Sequence, residues 1–235
     1  MSTLQGRRIV ITGASRGIGL ETARLFLAEG AEVLAVARDA ARLERARAEL
    51  STDARLGVLA VDLAEADAAS RIARAVEERW GALDMLFNNA GVQIDADANG
   101  LVDGSQAVFE RSFAINLHAP YRLCLALLPL LRKGREPRIA NVSSGAGTFA
   151  ALKERKIASY RLSKWALNGF TLLLASELAG EVAVNAFDPG WVKTDLGGPN
   201  APGSPLESAR GALALATLPF AETGKFWKDG QEIPF

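Results

Sequence analysis

"RIVITGASRGIGLETARLFLAEG", Arg8–Gly30, is the stretch on which the fold turns. Its first five residues, Arg8–Thr12, are an almost unbroken apolar run, the pattern of a strand covered on both faces. Gly13, Gly17 and Gly19 follow, and behind them an apolar-periodic stretch reads as a helix. Glycine permits backbone torsions barred to other residues and lets a ligand approach the main chain. The first turn of the helix offers free N–H groups and a positive dipole end, which suit a pyrophosphate. The G-x-x-x-G-x-G spacing differs from the common G-x-G-x-x-G fingerprint, and as a bare pattern it fits a plain tight turn as well. Its place after a strand and before a helix is the setting a dinucleotide site requires.

The same strand–helix alternation continues along the chain. Strand-like runs are expected at Glu32–Ala37, Leu56–Val61, Met85–Asn88, Arg138–Val142 and Val182–Phe187. Between them, "DAARLERARAEL" places Leu43, Ala46 and Leu50 on one helical stripe, and "AASRIARAVEERW" does the same with Ile72, Ala75 and Val76. The Arg and Glu runs on these helices read as solvated faces with i,i+4 pairing. This spacing predicts an α/β fold: one Rossmann-type, doubly wound parallel sheet with helices on both faces. No repeat or interdomain linker interrupts it, so residues 1–235 are expected to form a single dinucleotide-binding and catalytic domain. Gly197–Pro205, "GGPNAPGSP", reads as part of a mobile substrate loop near 191–207 rather than a boundary.

Composition narrows the function classes. The chain has 235 residues, 49% apolar, enough for a sizeable core, and its 27 basic side chains balance 27 acidic ones. That balance points away from nucleic acid and from an acidic membrane surface. The lone cysteine, Cys124, lies in an apolar run and reads as a core residue, which suits a reducing compartment. "MSTLQGRR" lacks a signal-peptide core, and no apolar run reaches the roughly 18 residues that span a bilayer; a cytoplasmic protein is expected. The single histidine, His118, precludes a multi-histidine zinc site and leaves no evident Ser–His–Asp set. It reads as structural, and no metal is expected.

The end of the second strand, Ala37-Arg38-Asp39, bears on cofactor choice. An acid at this point binds a ribose 2′-OH, whereas an arginine accommodates a 2′-phosphate. Arg38 offers a planar charged fork, and Arg16 in the glycine loop a second cation. Alternatively, Arg38 is a surface residue; Asp39 is expected to cap the next helix in either case.

The remaining motifs occur in a recognisable order: "TGASRGIG" at Thr12–Gly19, "VDL" at Val61–Leu63, "NNAG" at Asn88–Gly91, Asn116 in "AINLHAP", "NVSS" at Asn141–Ser144, "YRLSK" at Tyr160–Lys164 and "DPGWVKTDL" at Asp188–Leu196. Across nearly its whole length the chain resembles the short-chain dehydrogenase/reductase family, and within it the carbonyl-reductase and C-factor-like branch, through "PGWVKTDLGGPNAP" and "GKFWKDGQEIPF". Taken singly, Ser143 and Ser144 fit an ordinary strand end and Tyr160 a half-buried helix position. The seven motifs together favour chemistry.

The resemblance implies a catalytic set of Asn116, Ser144, Tyr160 and Lys164. Tyr160 would be the general acid/base, Ser144 would hold the substrate oxygen, and Lys164, one turn on, would bind the nicotinamide ribose and favour the phenolate. Asn116 would hold a relay water. It further implies cofactor contacts at Gly13, Ser15, Arg16, Gly17, Ile18, Gly19, Arg38, Asp62 and Leu63 beside the adenine, Asn89, Ala90, Gly91, and Pro189, Gly190, Val192 and Thr194 around the carboxamide. Phe149 and Trp191 are candidates for the substrate pocket beside Ser144 and Tyr160, with plain packing as the alternative. The expected cofactor is NADP(H), the expected substrate a small carbonyl compound or alcohol, and the expected assembly a homodimer or homotetramer. A 3-oxoacyl thioester reductase, or a cofactor-binding signalling protein with little catalysis, is the alternative. Tyr160 lies 16 positions after Ser144, a few more than the family's usual gap, with the excess placed in the charged loop Leu152–Lys156.

Overall fold

The computed structural model describes residues 3–50, 54–95 and 100–235. Its elements run β1 (Arg8–Thr12), α1 (Gly17–Ala28), β2 (Glu32–Ala37), α2 (Ala40–Leu50), β3 (Leu56–Ala60), α3 (Ala68–Trp80), β4 (Met85–Asn88), α4 (Gln106–Phe113), α5 (Ala119–Leu131), β5 (Arg138–Val142), α6 (Ala158–Glu177), β6 (Ala183–Phe187), α7 (Pro205–Ala216), β7 (Phe226–Lys228) and β8 (Gln231–Ile233). A π-helical turn, Ala114–His118, joins α4 to α5. The six expected strands are present, two of them one residue shorter than expected.

The strands form one sheet in the order β3-β2-β1-β4-β5-β6-β7-β8. All neighbours are parallel except the terminal β7–β8 hairpin. This hairpin was not anticipated from the sequence. Its two-residue connection, Asp229-Gly230, has positive φ at both positions (49° and 76°), the torsions a tight hairpin turn demands.

Alternation along each strand divides the core in two. Ile9, Ile11, Val33, Phe87, Ala140 and Phe187 face α1, α2 and α7, whereas Val10, Leu34, Leu86, Ile139 and Val184 face α3, α5 and α6. Phe26 of α1 meets Phe87 of β4 edge-on, with ring centroids 6.1 Å apart and planes at 70°, which fixes the helix behind the glycine loop.

The continuous helical segment Gln106–Leu131 is long and apolar enough, by length and composition, to cross a membrane, although charged residues interrupt it and no uninterrupted apolar run of that length occurs. Half of its most apolar window is buried, and Leu123, Cys124, Leu127, Leu130 and Leu131 pack into the sheet, as in a core helix.

The chain winds outward from β1 through β2 to β3, then returns to β4 on the other side of β1. Beyond the carboxyl ends of β1 and β4 the strand order reverses, and such a crevice is where open α/β sheets take ligands. Every loop that carries a sequence motif leaves the sheet at this edge.

Candidate active site

The glycine loop is closely fitted to the end of β4. Gly13 has φ +68°, and a Cβ there would lie 2.9 Å from Asn89 Nδ2 and 3.0 Å from Ala90 Cα. A Cβ on Gly19 would overlap the Gly13 carbonyl and stand 2.5 Å from Asn89 Nδ2. The Asn89 amide donates to the carbonyls of Thr12 (2.8 Å) and Gly13 (3.3 Å), and Thr12 Oγ1 accepts from the N–H groups of Asn89 and Ala90, each at 3.0 Å. No side chain caps α1, and its first turn holds no acid. The leading N–H groups of a twelve-residue helix thus lack a side-chain acceptor, a condition that fits a dinucleotide pyrophosphate.

The adjoining rim is cationic. Arg38 is exposed at the end of β2. Asp39 Oδ1 accepts from Arg42 N at 2.9 Å, so Asp39 caps α2, as its position in the sequence suggests. Burial, and then the charges of Arg42 and Arg38, lower the pKa of Arg16. Arg42 and Arg45 line the cleft beside Ser15 and Arg16, and Asp195 closes it by pairing with Arg16 and, at 3.7 Å, with Arg42 Nη1. Sequence reasoning missed these last three residues: Asp195 lies far along the chain from the arginines it meets. At the end of β3, Asp62 Oδ1 accepts from Ala64 N at 2.9 Å, and Asp62 Oδ2 lies 3.6 Å from Arg111 Nη2. Leu63 is buried beside it.

Ser144, Tyr160, Lys164 and Asn116 are brought together where β5 meets α6. Ser144 Oγ caps a short 3₁₀ turn by accepting from Ala146 N at 3.1 Å. Tyr160 is in the first turn of α6. That turn begins at Ile157, a β-branched residue with φ +49°, a costly conformation that its surroundings must hold. Asp95, a residue not singled out in the sequence, accepts from Ser159 N (2.7 Å) and Tyr160 N (3.3 Å), satisfying two donors at the helix start. The Ser144 side chain stands close enough to the Tyr160 phenol to lower its pKa. Lys164 Nζ donates to the Val142 carbonyl at 2.7 Å and lies 5.8 Å from the centre of the Tyr160 ring.

Asn116 sits in the π-helical turn and is fully buried. Its amide nitrogen donates to Val92 O and Ser163 Oγ, both at 2.9 Å, and its Oδ1 accepts from Val92 N at 2.8 Å. Both N–H groups are therefore committed to structure, and only Oδ1 keeps a free lone pair. Oδ1 and Lys164 Nζ are each 3.4 Å from where a Gly91 Cβ would be, so the absence of a side chain at Gly91 leaves room at their meeting point. His118 ends the π-helical turn, exposed, with its ring 6.5 Å from that of Phe113.

The segment after β6 forms the opposite wall. Gly190 N donates to Asp188 Oδ1 (3.0 Å), Pro189 O accepts from Ser208 Oγ (2.6 Å), and Thr194 Oγ1 accepts from Gly197 N (3.1 Å). Val192 is buried. Phe149 and Trp191 are 68% and 60% exposed, so in this structure neither is packed into the core.

Burial dominates the electrostatics. It pushes the Tyr160 phenol up to about 12, opposed by the Ser144 hydrogen bond and reinforced by the charge of Asp188. It pulls Lys164 down to about 8. In the cofactor-free chain the direction of the phenol is set by burial, with Ser144 and Asp188 as the smaller influences.

The lysine shift has a measurable consequence. Between pH 8 and the unfolded value of 10.5 the unfolded chain binds the extra proton, so stability rises with pH across that window. Lys164→Met should stabilise the cofactor-free protein at pH 7 by on the order of 3 kcal/mol, seen as a higher melting temperature, and the gain should shrink towards pH 10. Thermal melts at the two pH values would show this. A variant less stable than wild type at pH 7 would contradict it.

The sequence pattern of short chain dehydrogenases matches residues 7–203. The chain belongs to the short-chain dehydrogenase/reductase family. It is 31% identical to the (+)-neomenthol dehydrogenase of Arabidopsis thaliana, over 92% of this chain and 93% of that one. It is 39% identical to the C-signal protein of Myxococcus xanthus, over 66% of this chain and 94% of that one. A short chain dehydrogenase from Escherichia coli CFT073, solved with NADPH, superposes with a TM-score of 0.89 at 25% identity, covering 98% of this chain and 99% of that one. As a member of the short-chain dehydrogenase/reductase family the protein is an oxidoreductase acting on small molecules.

Proposed function

We propose that this short-chain dehydrogenase is an NADP(H)-dependent carbonyl reductase that converts a ketone or aldehyde to an alcohol, reversibly, and that residues 1–235 act as one catalytic domain. The observation that carries the reading is the buried Tyr160 with Ser144 beside its phenol and Lys164 Nζ 5.8 Å from the centre of its ring. When bound, the reduced nicotinamide supplies a hydride to the carbonyl carbon. Tyr160 donates its proton to the carbonyl oxygen as negative charge develops there. Ser144 orients that oxygen, and Lys164, carrying donors beyond its bond to Val142, holds ribose hydroxyls and returns a proton to the phenol. Asn116 Oδ1 positions the relay beside Lys164.

The glycine loop (Gly13, Ser15, Gly17, Ile18, Gly19) would hold the pyrophosphate, Arg16 and Arg38 the 2′-phosphate, and Asp62 and Leu63 the adenine. Asn89, Ala90 and Gly91 would line the middle of the cofactor, with Pro189, Gly190, Val192 and Thr194 at the carboxamide. Trp191 and Phe149, in exposed loops, would close over substrate from the segment 191–207 and from the turn after Ser144.

The test is NADPH oxidation against a panel of ketones, aldehydes, quinones and a 3-oxoacyl thioester. Turnover confined to the thioester would instead make the protein a thioester reductase. No turnover, with the cofactor still bound, would favour a cofactor-sensing role.

Assembly follows from the same helices. Tyr121 and Leu125 on α5, and Trp165, Leu172 and Leu173 on α6, are exposed apolar side chains on neighbouring elements. Their cover in the proposed assembly is a second copy, in a closed homodimer or homotetramer. Light scattering at micromolar concentration should give a multiple of the chain mass; a monomer would refute the assembly.

A further inference from the structure

The Asp195 carboxylate reaches, from the loop after β6, an arginine that the proposed reading assigns to the 2′-phosphate. It pairs with Arg16 and stands 3.7 Å from Arg42 Nη1. Of the other nearby acids, Asp39 caps α2 and lies 3.5 Å from Arg42 Nε, a different nitrogen from the one that faces Asp195, and Glu49 pairs with Arg24, so Asp195 is the carboxylate paired with Arg16. Arg16, Arg38 and Arg42 are close enough for their charges to oppose one another, so an anion among them is favoured. Asp195 supplies one in the cofactor-free chain.

The base of the same loop is pinned. Val192 bridges Gly203, Lys193 N donates to Gly203 O at 2.9 Å, Gly203 N donates to Trp191 O at 3.1 Å, and Trp191 Nε1 donates to Gly197 O at 2.7 Å. Thr194 rests its methyl group against Gly17. Asp195 thus ties the pinned loop to the phosphate-binding rim.

We propose that Asp195 is a cofactor-specificity residue that latches the substrate loop to Arg16 and Arg42, and that a 2′-phosphorylated cofactor displaces it whereas NAD(H) does not. The inference rests on the NADP(H) reading above. A doubly charged phosphate outcompetes a single carboxylate for guanidinium groups. Arg16 and Asp195 are both more than half exposed, so the exchange is inexpensive and the latch is a modest tax on NADP(H) binding. Its release frees the loop that carries Trp191 and Thr194 only when the phosphorylated cofactor is in place.

Isothermal titration of Asp195→Asn should give NADP⁺ binding about 3- to 10-fold tighter than wild type, the scale of one or two exposed ion pairs, with NAD⁺ changed by less than about twofold. Adenosine 2′,5′-bisphosphate should show the same gain, and adenosine 5′-phosphate none. Hydrogen exchange at residues 195–200 should rise when wild type binds the bisphosphate and should start high in the variant. NADP⁺ affinity unchanged or weakened by the substitution, or exchange unmoved by the bisphosphate, would overturn the latch. Arg16→Ala separates the two claims: loss of NADP⁺ preference there upholds the cofactor reading whatever Asp195 does, and a wild type with no preference overturns both.

Discussion

Tyr160→Phe should retain NADPH affinity and lose at least about 10²-fold in turnover, the usual scale of a general acid's contribution. The substitution removes one oxygen from a side chain 8% exposed and leaves the ring against Lys164. It also removes a phenol whose burial costs it the charged form, so the fold should not suffer. A drop in kcat with unchanged cofactor binding, read by titration alongside steady-state kinetics, is the expected signature. Near-normal turnover would take Tyr160 out of the mechanism.

Arg38→Ala should cut the preference for NADPH over NADH by roughly 10- to 100-fold in kcat/KM. A charge-assisted hydrogen bond to an ionised group contributes about 1.5–3 kcal/mol, and about 1.4 kcal/mol is tenfold. The position that would hold an acid in an NAD enzyme is Ala37, so the site offers no carboxylate to the two ribose hydroxyls. Asp39, the acid that could repel a phosphate, is held at the start of α2 by Arg42 N. Arg16 and Arg42 stay in the cluster, so the variant should keep part of the preference. Equal kcat/KM for the two cofactors in wild type, or a preference indifferent to Arg38, would show this reading of the β2 end to be wrong.

Much of the architecture was written locally. Unbroken apolar runs separated by amphipathic stretches announced six parallel strands, because buried parallel strands have no polar face to alternate with. The glycine loop was legible because Gly13 and Gly19 answer to backbone contacts that no other residue could make. The β7–β8 hairpin left a weaker trace: three-residue strands are too short for periodicity, although Asp229-Gly230 carried the turn signal.

The candidate site was legible in part. Tyr160 and Lys164 share one face of α6, but Ser144 meets them only because α6 packs beside the end of β5, so spacing alone could not join the three and the ordered motifs did. Asp95, Arg42, Arg45 and Asp195 escaped because contacts between distant segments impose no local pattern. The environment of the Tyr160 phenol escaped too: a lysine one turn away is visible in sequence, but the burial that raises the phenol's pKa is not.

The most direct test of the account is isotopic. Purified protein is given NADPH carrying deuterium at both nicotinamide C4 positions together with a ketone that it turns over, and the alcohol is analysed by mass spectrometry. The account predicts one deuterium on the carbinol carbon of each product molecule, formed in step with NADPH consumption and suppressed in Tyr160→Phe. Alcohol that carries no label, or no reduction of any carbonyl in the panel by a protein that binds NADPH, would contradict it.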